Sequence, residues 1–395
     1  MLRNIISERE KELPLLTIGR LLKLAEEGKD VISLGPGEPD FAAPPNVIEA
    51  AIEALKKKQT HYSPVEGRTD LKKAIIKKLE KENSIHAHES QIAVTTGSTE
   101  GILLSLLCTV DPGQGVLLPD PGFLAYKPTV EILNGMPLPY KLKESEAFQV
   151  NRDELERMIV PEKTRAVIIN TPSNPTGVVY TKKTLEEIAD FANEYDLLII
   201  SDEAYEKFVY DDAKHISIAS LDGMFDRTIT LHSFSKSYAM PGFRLGYAVG
   251  KEKIISALAK THIFTTLAAP TISQIAAVEA LEGKSTPSYV KKMLEEYDRR
   301  RRLITKGINR IRKIRCIEPK GAFYVFPNIR EFEAPSLQFA EWLLKEANVV
   351  TVAGTEFGRN GEGHIRLSYA SSYEKIETAL QRIEKAVKKW KKPAI

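Results

Sequence analysis

Residues 165–205 read RAVIINTPSNPTGVVYTKKTLEEIADFANEYDLLIISDEAY, and this stretch decides the fold. Two short apolar runs, RAVIINTP and LLIISDEAY, stand on either side of a helical segment. Apolar runs of this length that end in polar residues or proline are typical of buried strands. A strand, a helix and a second strand in this order predict two parallel strands joined by a helical crossover.

The same alternation of helices and strand-length runs extends from about residue 45 to residue 285. Thr184 and Glu187 fit a capping box and predict the start of the helix in the opening stretch. The further helices are NVIEAAIEALKKK, TDLKKAIIKKLEKEN and TEGILLSLLCTV, and the further strands are QIAVTTGS, GVLLPD, TITLHSFSK and GYAVG. This alternation predicts an α/β fold in which helices cover both faces of a mostly parallel sheet.

The C-terminal part of the chain has a different rhythm, which predicts a smaller α+β domain. A long charged helix near residues 287–313 contains RRRRL at 299–303, which we interpret as a solvent-facing side of that helix. The predicted organisation is an N-terminal arm that belongs partly to the small domain (1–44), a large domain (45–286) and a small C-terminal domain (287–395).

Composition argues against several classes of protein. The 395 residues carry 56 Lys and Arg against 53 Asp and Glu, and this net charge of +3 does not indicate a nucleic-acid binder. Cys108 and Cys316 lie in apolar surroundings, so they predict neither a disulfide framework nor a metal site. The N-terminal residues do not resemble a secretion signal, and no run approaches the ~20 apolar residues of a membrane span. We expect a cytoplasmic protein.

Four polar clusters lie at the ends of predicted strands: TGSTEG (96–101), NTPSNPTG (170–177), SDEAY (201–205) and SFSKSYAMPGFRLGY (233–247). Each has an ordinary explanation by itself, as a helix cap, a turn or the site of a salt bridge. Ligands of open α/β sheets bind outside the carboxyl ends of the strands, which meet at one edge. We therefore expect the four clusters to lie close together.

Lys236 is the residue of these clusters with the most specific chemistry. An amine held near Arg244 and partly removed from water has its charged form disfavoured, so it stays nucleophilic at neutral pH, as a Schiff-base lysine must. The Gly-Ser-Thr turn at 97–99 opens an apolar helix whose N-terminus favours an anion. Asp202, at the mouth of a buried strand, needs a cation or several donors.

The motifs NPTG, SDEAY and SFSKSYAMPGFRLGY, in this order, resemble the pyridoxal-phosphate-dependent class I aminotransferases of fold type I. The resemblance continues through LGPGEPDF, HYSPVEG, DPGFLAY, GAFYVFP and HIRLSYA, so it covers nearly the whole chain, which looks closest to the archaeal aspartate and aromatic aminotransferase group. It implies a two-stage transfer of the amino group from an α-amino acid to a 2-oxo acid, with 2-oxoglutarate as the expected acceptor.

The resemblance also implies roles for individual residues around pyridoxal 5'-phosphate. Lys236 would bond covalently to the cofactor and later move the α-proton of the substrate, while Asp202 would face the pyridine nitrogen. Asn174 and Tyr205 would donate hydrogen bonds to the phenolic oxygen, and Phe123 would stack on the ring. The residues expected around the phosphate are Gly97, Ser98, Thr99, Ser233 and Arg244.

Substrate and partner recognition are implied in the same way. Arg366 would bind the α-carboxylate with two hydrogen bonds, with Gly37 and Asn174 beside the same group. Tyr62 matches a tyrosine that reaches the phosphate of the neighbouring subunit, which implies a homodimer with shared active sites. Some relatives carry a second arginine near residues 261–271. This chain offers His262 and Phe264 there, so the preferred donor, aspartate or an aromatic amino acid, stays open.

Three alternatives accompany this hypothesis. Carbon–sulfur lyases and aminocyclopropane-carboxylate synthases share the fold and the cofactor residues, and the motifs do not separate them from aminotransferases. A cofactor-sensing regulator on this fold carries an added DNA-binding module, for which the roughly 30 residues before VISLGPGEPDF are too short. A nucleotide-binding protein is not indicated, because the sequence has neither a Gly-rich Lys-Ser/Thr loop nor a GxGxxG after a strand.

Overall fold

The fold was obtained as a computed structural model, and the structure describes residues 5–11, 13, 19 and 30–390. The strands of this part of the chain are β1 (Ile32–Ser33), β2 (Ile92–Thr95), β3 (Gly115–Asp120), β4 (Met136–Lys141), β5 (Thr164–Asn170), β6 (Leu198–Asp202), β7 (Thr228–Ser233), β8 (Gly246–Val249), β9 (Tyr324–Val325), β10 (Val349–Val350), β11 (Val352–Ala353) and β12 (Ile365–Ser368). The α-helices are α1 (Glu8–Lys11), α2 (Pro45–Lys56), α3 (Thr69–Lys78), α4 (Ser98–Thr109), α5 (Tyr126–Ile132), α6 (Arg152–Met158), α7 (Lys182–Glu194), α8 (Phe234–Ser237), α9 (Glu252–Ile263), α10 (Thr271–Glu282), α11 (Thr286–Ile308), α12 (Ser336–Ala347) and α13 (Tyr373–Val387).

A seven-stranded sheet in the order β2-β8-β7-β6-β5-β3-β4 forms the centre of the large domain. Strand β8 runs antiparallel to its neighbours β2 and β7. The remaining pairs are parallel, and the polar residues that follow β5, β6 and β7 therefore meet at one edge. The prediction of a mostly parallel sheet is confirmed.

Helices cover both faces of this sheet, as predicted. Along β5 successive side chains point to opposite faces, so Ile169 lies in the same core cluster as Leu185 of α7. Its neighbour Ile168 lies in a second cluster with Ile102 of α4. Burying a side chain of this kind stabilises the fold by about 1.5–3 kcal/mol, so these contacts hold the helices against the sheet.

Helix α7 begins earlier than its sequence indicated. Thr181 is the N-cap residue, and its hydroxyl accepts a hydrogen bond from the backbone N–H of Thr184 at 3.1 Å. The predicted capping box at Thr184 and Glu187 is therefore wrong, because Thr184 already lies in the first helical turn. Its hydroxyl donates instead to Oε1 of Gln149 at 2.8 Å.

The smaller α+β domain is built from both ends of the chain. Strand β1 pairs in parallel with β10, so residues 32–33 are joined to residues 349–350. Beside them, β11, β12 and β9 form an antiparallel sheet in that order. The long helix α11 leads from the large domain into this part. The residue bounds of the domains stay a prediction.

The arginine run in α11 is only partly solvent-facing. Arg301 is fully buried and Arg300 is nearly so, whereas the side chains of Arg299 and Arg302 are 55% and 60% exposed. Four consecutive residues of an α-helix point in directions spread around nearly the whole helix axis, because one turn has 3.6 residues, so they cannot all face water. The interpretation of the whole run as solvated is wrong for the two central residues. The guanidinium of Arg301 pairs with Asp211, Asp298 and Glu318.

Among the described residues, no helix combines the length and the apolar character that a membrane span requires.

Candidate active site

A cavity of about 250 Å³ lies at the carboxyl edge of the parallel strands, and we call it the strand-end cavity. Its walls come from the residues that follow β5, β6 and β7, from the start of α4 and from the small domain. Most of the predicted site residues line it: Gly37, Ser98, Thr99, Phe123, Asn174, Asp202, Tyr205, Ser233, Lys236, Arg244 and Arg366.

Lys236 projects from α8, the short helix that directly follows β7. Burial lowers the pKa of its amine to about 8, although the charge of Glu38 acts in the opposite direction. The positive charges of Arg244 and Arg366 lower the pKa further. The Nζ atom donates a hydrogen bond to the carbonyl of Gly37. An appreciable fraction of this amine is therefore neutral and nucleophilic near neutral pH.

Asp202 is the last residue of β6, and its carboxylate is buried. Oδ2 accepts a hydrogen bond from the hydroxyl of Tyr126 at 2.7 Å, and Oδ1 accepts one from the N–H of Ala204 at 3.2 Å. Burial raises the pKa of this carboxyl, because the anion is removed from water. A cationic group in the cavity would offset that cost.

One end of the cavity is formed by the start of α4, which directly follows Gly97. Gly97 precedes the helix with φ of 85°, a conformation that disfavours any residue with a Cβ. A Cβ built at this position would lie 2.8 Å from Nη2 of Arg244. The glycine therefore lets the guanidinium approach the N-terminus of α4, where backbone N–H groups favour negative charge.

Arg366 lies in β12 and is fully enclosed by protein. Its Nη1 donates to Oδ1 of Asn174 at 2.9 Å, and its Nη2 donates to the carbonyl of Gly35 at 2.6 Å. The guanidinium lies over the ring of Tyr324 at 4.5 Å, while Nε is buried without a hydrogen-bond partner. None of the described carboxylates pairs with Arg366. A buried cation of this kind is costly unless an anion reaches it, so Arg366 is prepared for a carboxylate.

Two hydroxyls and an amide complete the polar wall. The hydroxyls of Tyr205 and Tyr324 are 2.7 Å apart. The backbone N–H of Asn174 donates to Oδ1 of Asn170 at 2.8 Å, which holds the turn after β5 in place. Because Oδ1 of Asn174 accepts from Arg366, its amide NH₂ is left to donate into the cavity.

Three residues singled out from the sequence lie elsewhere. Tyr62 is 84% exposed and does not line the strand-end cavity. His262 is fully buried with Nε2 3.3 Å from Oε2 of Glu100, so within this chain it does not face a substrate. Phe264 is 82% exposed beyond the end of α9.

Sequence reasoning missed several residues of the site. Tyr324, Leu124, Asn170, Ala204 and Ser235 also line the cavity, and Tyr126 contacts Asp202 from behind it. The sequence signal that could have found them is their position, because each lies within or beside a motif that was already recognised. Tyr324 lies in GAFYVFP, and Tyr126 lies in DPGFLAY.

The comparison with known families decides the identity. The sequence profile of the family described as Aminotransferase class I and II matches residues 29–383. The chain belongs to the class I and II aminotransferases. This aminotransferase is 45% identical over 387 residues to Aromatic-amino-acid aminotransferase 2 of Thermococcus litoralis, covering 98% of this chain and 99% of the relative. It is 46% identical over 375 residues to an aspartate aminotransferase of Pyrococcus abyssi, covering 95% and 96%.

Solved structures agree with this assignment. An aromatic aminotransferase from Pyrococcus horikoshii superimposes with a TM-score of 0.89 at 46% identity, covering 94% of the aminotransferase described here and 99% of that chain. An aspartate aminotransferase from Thermus thermophilus with maleate gives 0.92 at 33% identity, covering 98% and 100%. The predicted fold type I architecture and amino-group transfer are confirmed, and the relatives do not favour the lyase alternative. Enzymes of this family generally depend on pyridoxal phosphate.

Proposed function

We propose that this aminotransferase binds pyridoxal 5'-phosphate in the strand-end cavity and transfers the amino group of an α-amino acid to a 2-oxo acid, with 2-oxoglutarate as the acceptor, in a two-stage exchange. The observation that carries the proposal is a single cavity lined by a partly buried lysine, a buried aspartate and a buried arginine without a carboxylate partner: Lys236, Asp202 and Arg366.

The residues fit the cofactor on three counts. Gly97 leaves room for Arg244 at the start of α4, which suits a phosphate. No described residue forms a salt bridge with the Asp202 carboxylate, and a protonated ring nitrogen would supply a cation there. The amine of Lys236 is deprotonated more readily than an ordinary lysine, which suits attack on an aldehyde.

When bound, the cofactor supplies an electron sink that stabilises negative charge at the substrate α-carbon. Asp202 would keep the proton on the ring nitrogen, and the amide NH₂ of Asn174 together with the hydroxyl of Tyr205 would donate to the phenolic oxygen. Phe123, which lines the same cavity, would stack on the ring and exclude water from it. Ser98, Thr99, Ser233 and Arg244 donate to the phosphate.

Lys236 and Arg366 handle the substrate. Arg366 binds the α-carboxylate, with Gly37 and Asn174 beside it, and so orients the α-hydrogen toward the lysine. Nζ of Lys236 accepts that proton and later returns it, which its lowered pKa permits near neutral pH.

We further infer that the amino donor is aspartate or an aromatic amino acid and that the enzyme is a homodimer with shared active sites. The relatives include enzymes named for both donor classes. The exposed aromatic side chains of Tyr62 and Phe264 support a surface that another subunit covers.

Borohydride reduction tests the cofactor assignment directly. Protein supplied with pyridoxal 5'-phosphate should turn yellow and, after reduction, carry the cofactor on the peptide that contains Lys236. Colourless protein that borohydride does not label would overturn the proposal.

A single-turnover measurement tests the reaction type. Holoenzyme mixed with an amino acid alone should release about one equivalent of 2-oxo acid per site and stop, because the amino group stays on the cofactor. Continued release of ammonia or thiol without an acceptor would indicate a lyase. A panel of amino donors against 2-oxoglutarate and pyruvate then ranks the substrates.

A further inference from the structure

Tyr126 contacts the site from a position that the proposed function does not use. It is the first residue of α5 and is fully buried. Its hydroxyl donates to Oδ2 of Asp202 at 2.7 Å, while Oδ1 has only the backbone N–H of Ala204 at 3.2 Å. Among the described residues, no other side chain donates to the carboxylate of Asp202, although the amide of Asn170 donates to its backbone carbonyl at 2.9 Å.

The chain holds this hydroxyl firmly. The ring of Tyr126 meets Phe123 edge to face with centroids 5.5 Å apart, and Phe123 lines the strand-end cavity. Tyr126 itself does not line the cavity, so its hydroxyl acts on a bound ligand through Asp202, to which it donates. Burial and the neighbouring Asp202 carboxylate raise the pKa of Tyr126 well above its usual value, so it remains a donor throughout the working pH range.

We propose that Tyr126 is a positioning residue that keeps the Asp202 carboxylate charged and fixes one of its oxygens, leaving Oδ1 for the ring nitrogen of the cofactor. The inference rests on the proposed function, because it assumes that Asp202 faces that nitrogen.

Burial and hydrogen bonding act in opposite directions on the pKa of Asp202. Burial raises the pKa of Asp202, since a carboxylate is poorly solvated inside the protein. A hydrogen bond donated to the carboxylate favours the charged form and opposes that shift. Without the Tyr126 hydroxyl, Asp202 takes up a proton at a higher pH and can no longer hold a protonated ring.

The chain offers a matched control for the loss of a buried tyrosine hydroxyl. Tyr140 is also fully buried, but its hydroxyl donates to the carbonyl of Ile168 at 2.9 Å and not to Asp202. Tyr140→Phe and Tyr126→Phe therefore remove the same group from the same kind of environment. Only the second changes a contact of Asp202.

The probe is pyridoxamine 5'-phosphate, which has no aldehyde and therefore reports ring contacts without a bond to Lys236. Its affinity for the apoenzyme is measured by calorimetry from acidic to neutral pH in wild type, Tyr126→Phe and Tyr140→Phe. Other charged groups that face Asp202, namely Glu203, His232 on β7 and Lys236 on α8, are the same in all three proteins. The probe itself titrates in the same way in all three measurements, so its own protonation does not distinguish the variants.

The direction of the expected pH effect depends on the protonation state of Asp202 that binds the probe. Acidification protonates Asp202 and weakens binding of the cationic ring, so a higher pKa moves this loss to higher pH. In Tyr126→Phe the loss should begin about one pH unit higher than in wild type, with about tenfold weaker binding in the acidic range. Tyr140→Phe should follow the wild-type curve. In an Asp202→Asn background, Tyr126→Phe should have no further effect on the curve.

Thermal unfolding first establishes that each variant is folded. Tyr126→His keeps a ring and an N–H donor, and it should return the curve toward wild type if the missing donor is the cause. Equal curves for Tyr126→Phe and wild type, or an equal shift in Tyr140→Phe, would overturn the inference. A wild-type protein that does not bind the probe, or an Asp202→Asn variant with wild-type binding, would instead refute the proposed function.

Discussion

Arg366 and Asn174 are joined by a hydrogen bond of 2.9 Å from Nη1 to Oδ1, which connects β12 of the small domain to the turn after β5. The contact orients both side chains at once. It aims the guanidinium at the strand-end cavity, and it directs the amide NH₂ of Asn174 toward the same space. The orientations of Arg366 and Asn174 therefore depend on one another.

Arg366→Ala should raise KM for every amino acid donor and lower kcat/KM by about 100-fold, because it removes one half of a buried charge pair with the α-carboxylate. Arg366→Lys should recover little, since an ammonium cannot supply the forked donors. Steady-state kinetics with acidic and aromatic donors measure both effects, and Arg315→Ala, with a side chain 84% exposed, is the control. If KM rises for only one class of donor, Arg366 recognises the substrate side chain and not the α-carboxylate.

Lys236→Met should stabilise the cofactor-free protein near neutral pH. The folded-state pKa is about 8 against 10.5 for an ordinary lysine, so below pH 8 the wild type holds a charge that burial disfavours. Between these values the unfolded chain binds more protons than the folded protein, and wild-type stability rises with pH. The variant should exceed wild type by about 2 kcal/mol near neutrality, after allowance for solvent screening.

Denaturant unfolding over a pH series checks this prediction. The advantage of Lys236→Met should shrink above about pH 8 and vanish near 10.5. Lys207→Met is the matched control, because Nζ of Lys207 pairs with Glu82 at 2.8 Å and its removal should not stabilise the protein. A constant difference across the series would show that the lysine charge is not responsible.

Gly97→Ala should weaken binding of pyridoxal 5'-phosphate by about tenfold, because the new methyl group displaces Arg244. Gly113 is the control: its φ of 81° resembles the 85° of Gly97, but a Cβ there meets no atom within 4 Å. Both alanines should lower the free energy of unfolding by about 1–2 kcal/mol through backbone strain. Equal loss of cofactor affinity in both variants would contradict the predicted contact.

Arg301→Ala should lower the free energy of unfolding by about 2–5 kcal/mol, because it leaves a cavity where a fully buried side chain was and removes that side chain's hydrogen bonds to partly exposed carboxylates. Arg299→Ala, two positions away in the same run, should cost less than about 1 kcal/mol, since its side chain is 55% exposed. Thermal or denaturant unfolding of the two variants separates these values. Similar losses would mean that the run acts as a whole and not through its buried member.

The sequence was sufficient for the large sheet and for the edge where the cavity lies. Continuous apolar runs of strand length indicate strands that are buried on both faces of a sheet. The polar residues that end these runs must lie at the same edge of the sheet when the strands are parallel. Lys236, Asp202, Asn174 and Arg366 were found in this way together with the family resemblance, and they line one cavity. Their roles in catalysis stay a prediction.

Long-range contacts account for what the sequence did not reveal. The hydroxyl of Tyr126 meets a residue 76 positions away, and that of Tyr205 meets one 119 positions away, so neither pair has a local signal. The burial of Arg300 depends on Asp40, 260 positions earlier. The N-cap of α7 was a choice between two threonines, which the extended backbone of Thr181 decides.

The pairing of β1 with β10 has a consequence for the surroundings of the Lys236 amine. Leu34 is anchored by hydrogen bonds with Val350 and Ser368, so the carbonyls of Gly35 and Gly37 lie on a segment attached to β10 and to β12, the strand that contains Arg366. The contact between Gly37 and Lys236 joins this segment to α8. Movement of the segment away from α8 would break that contact and expose the amine to water, which favours the ammonium form. The charge state of this amine therefore depends on a strand pairing between two distant parts of the chain.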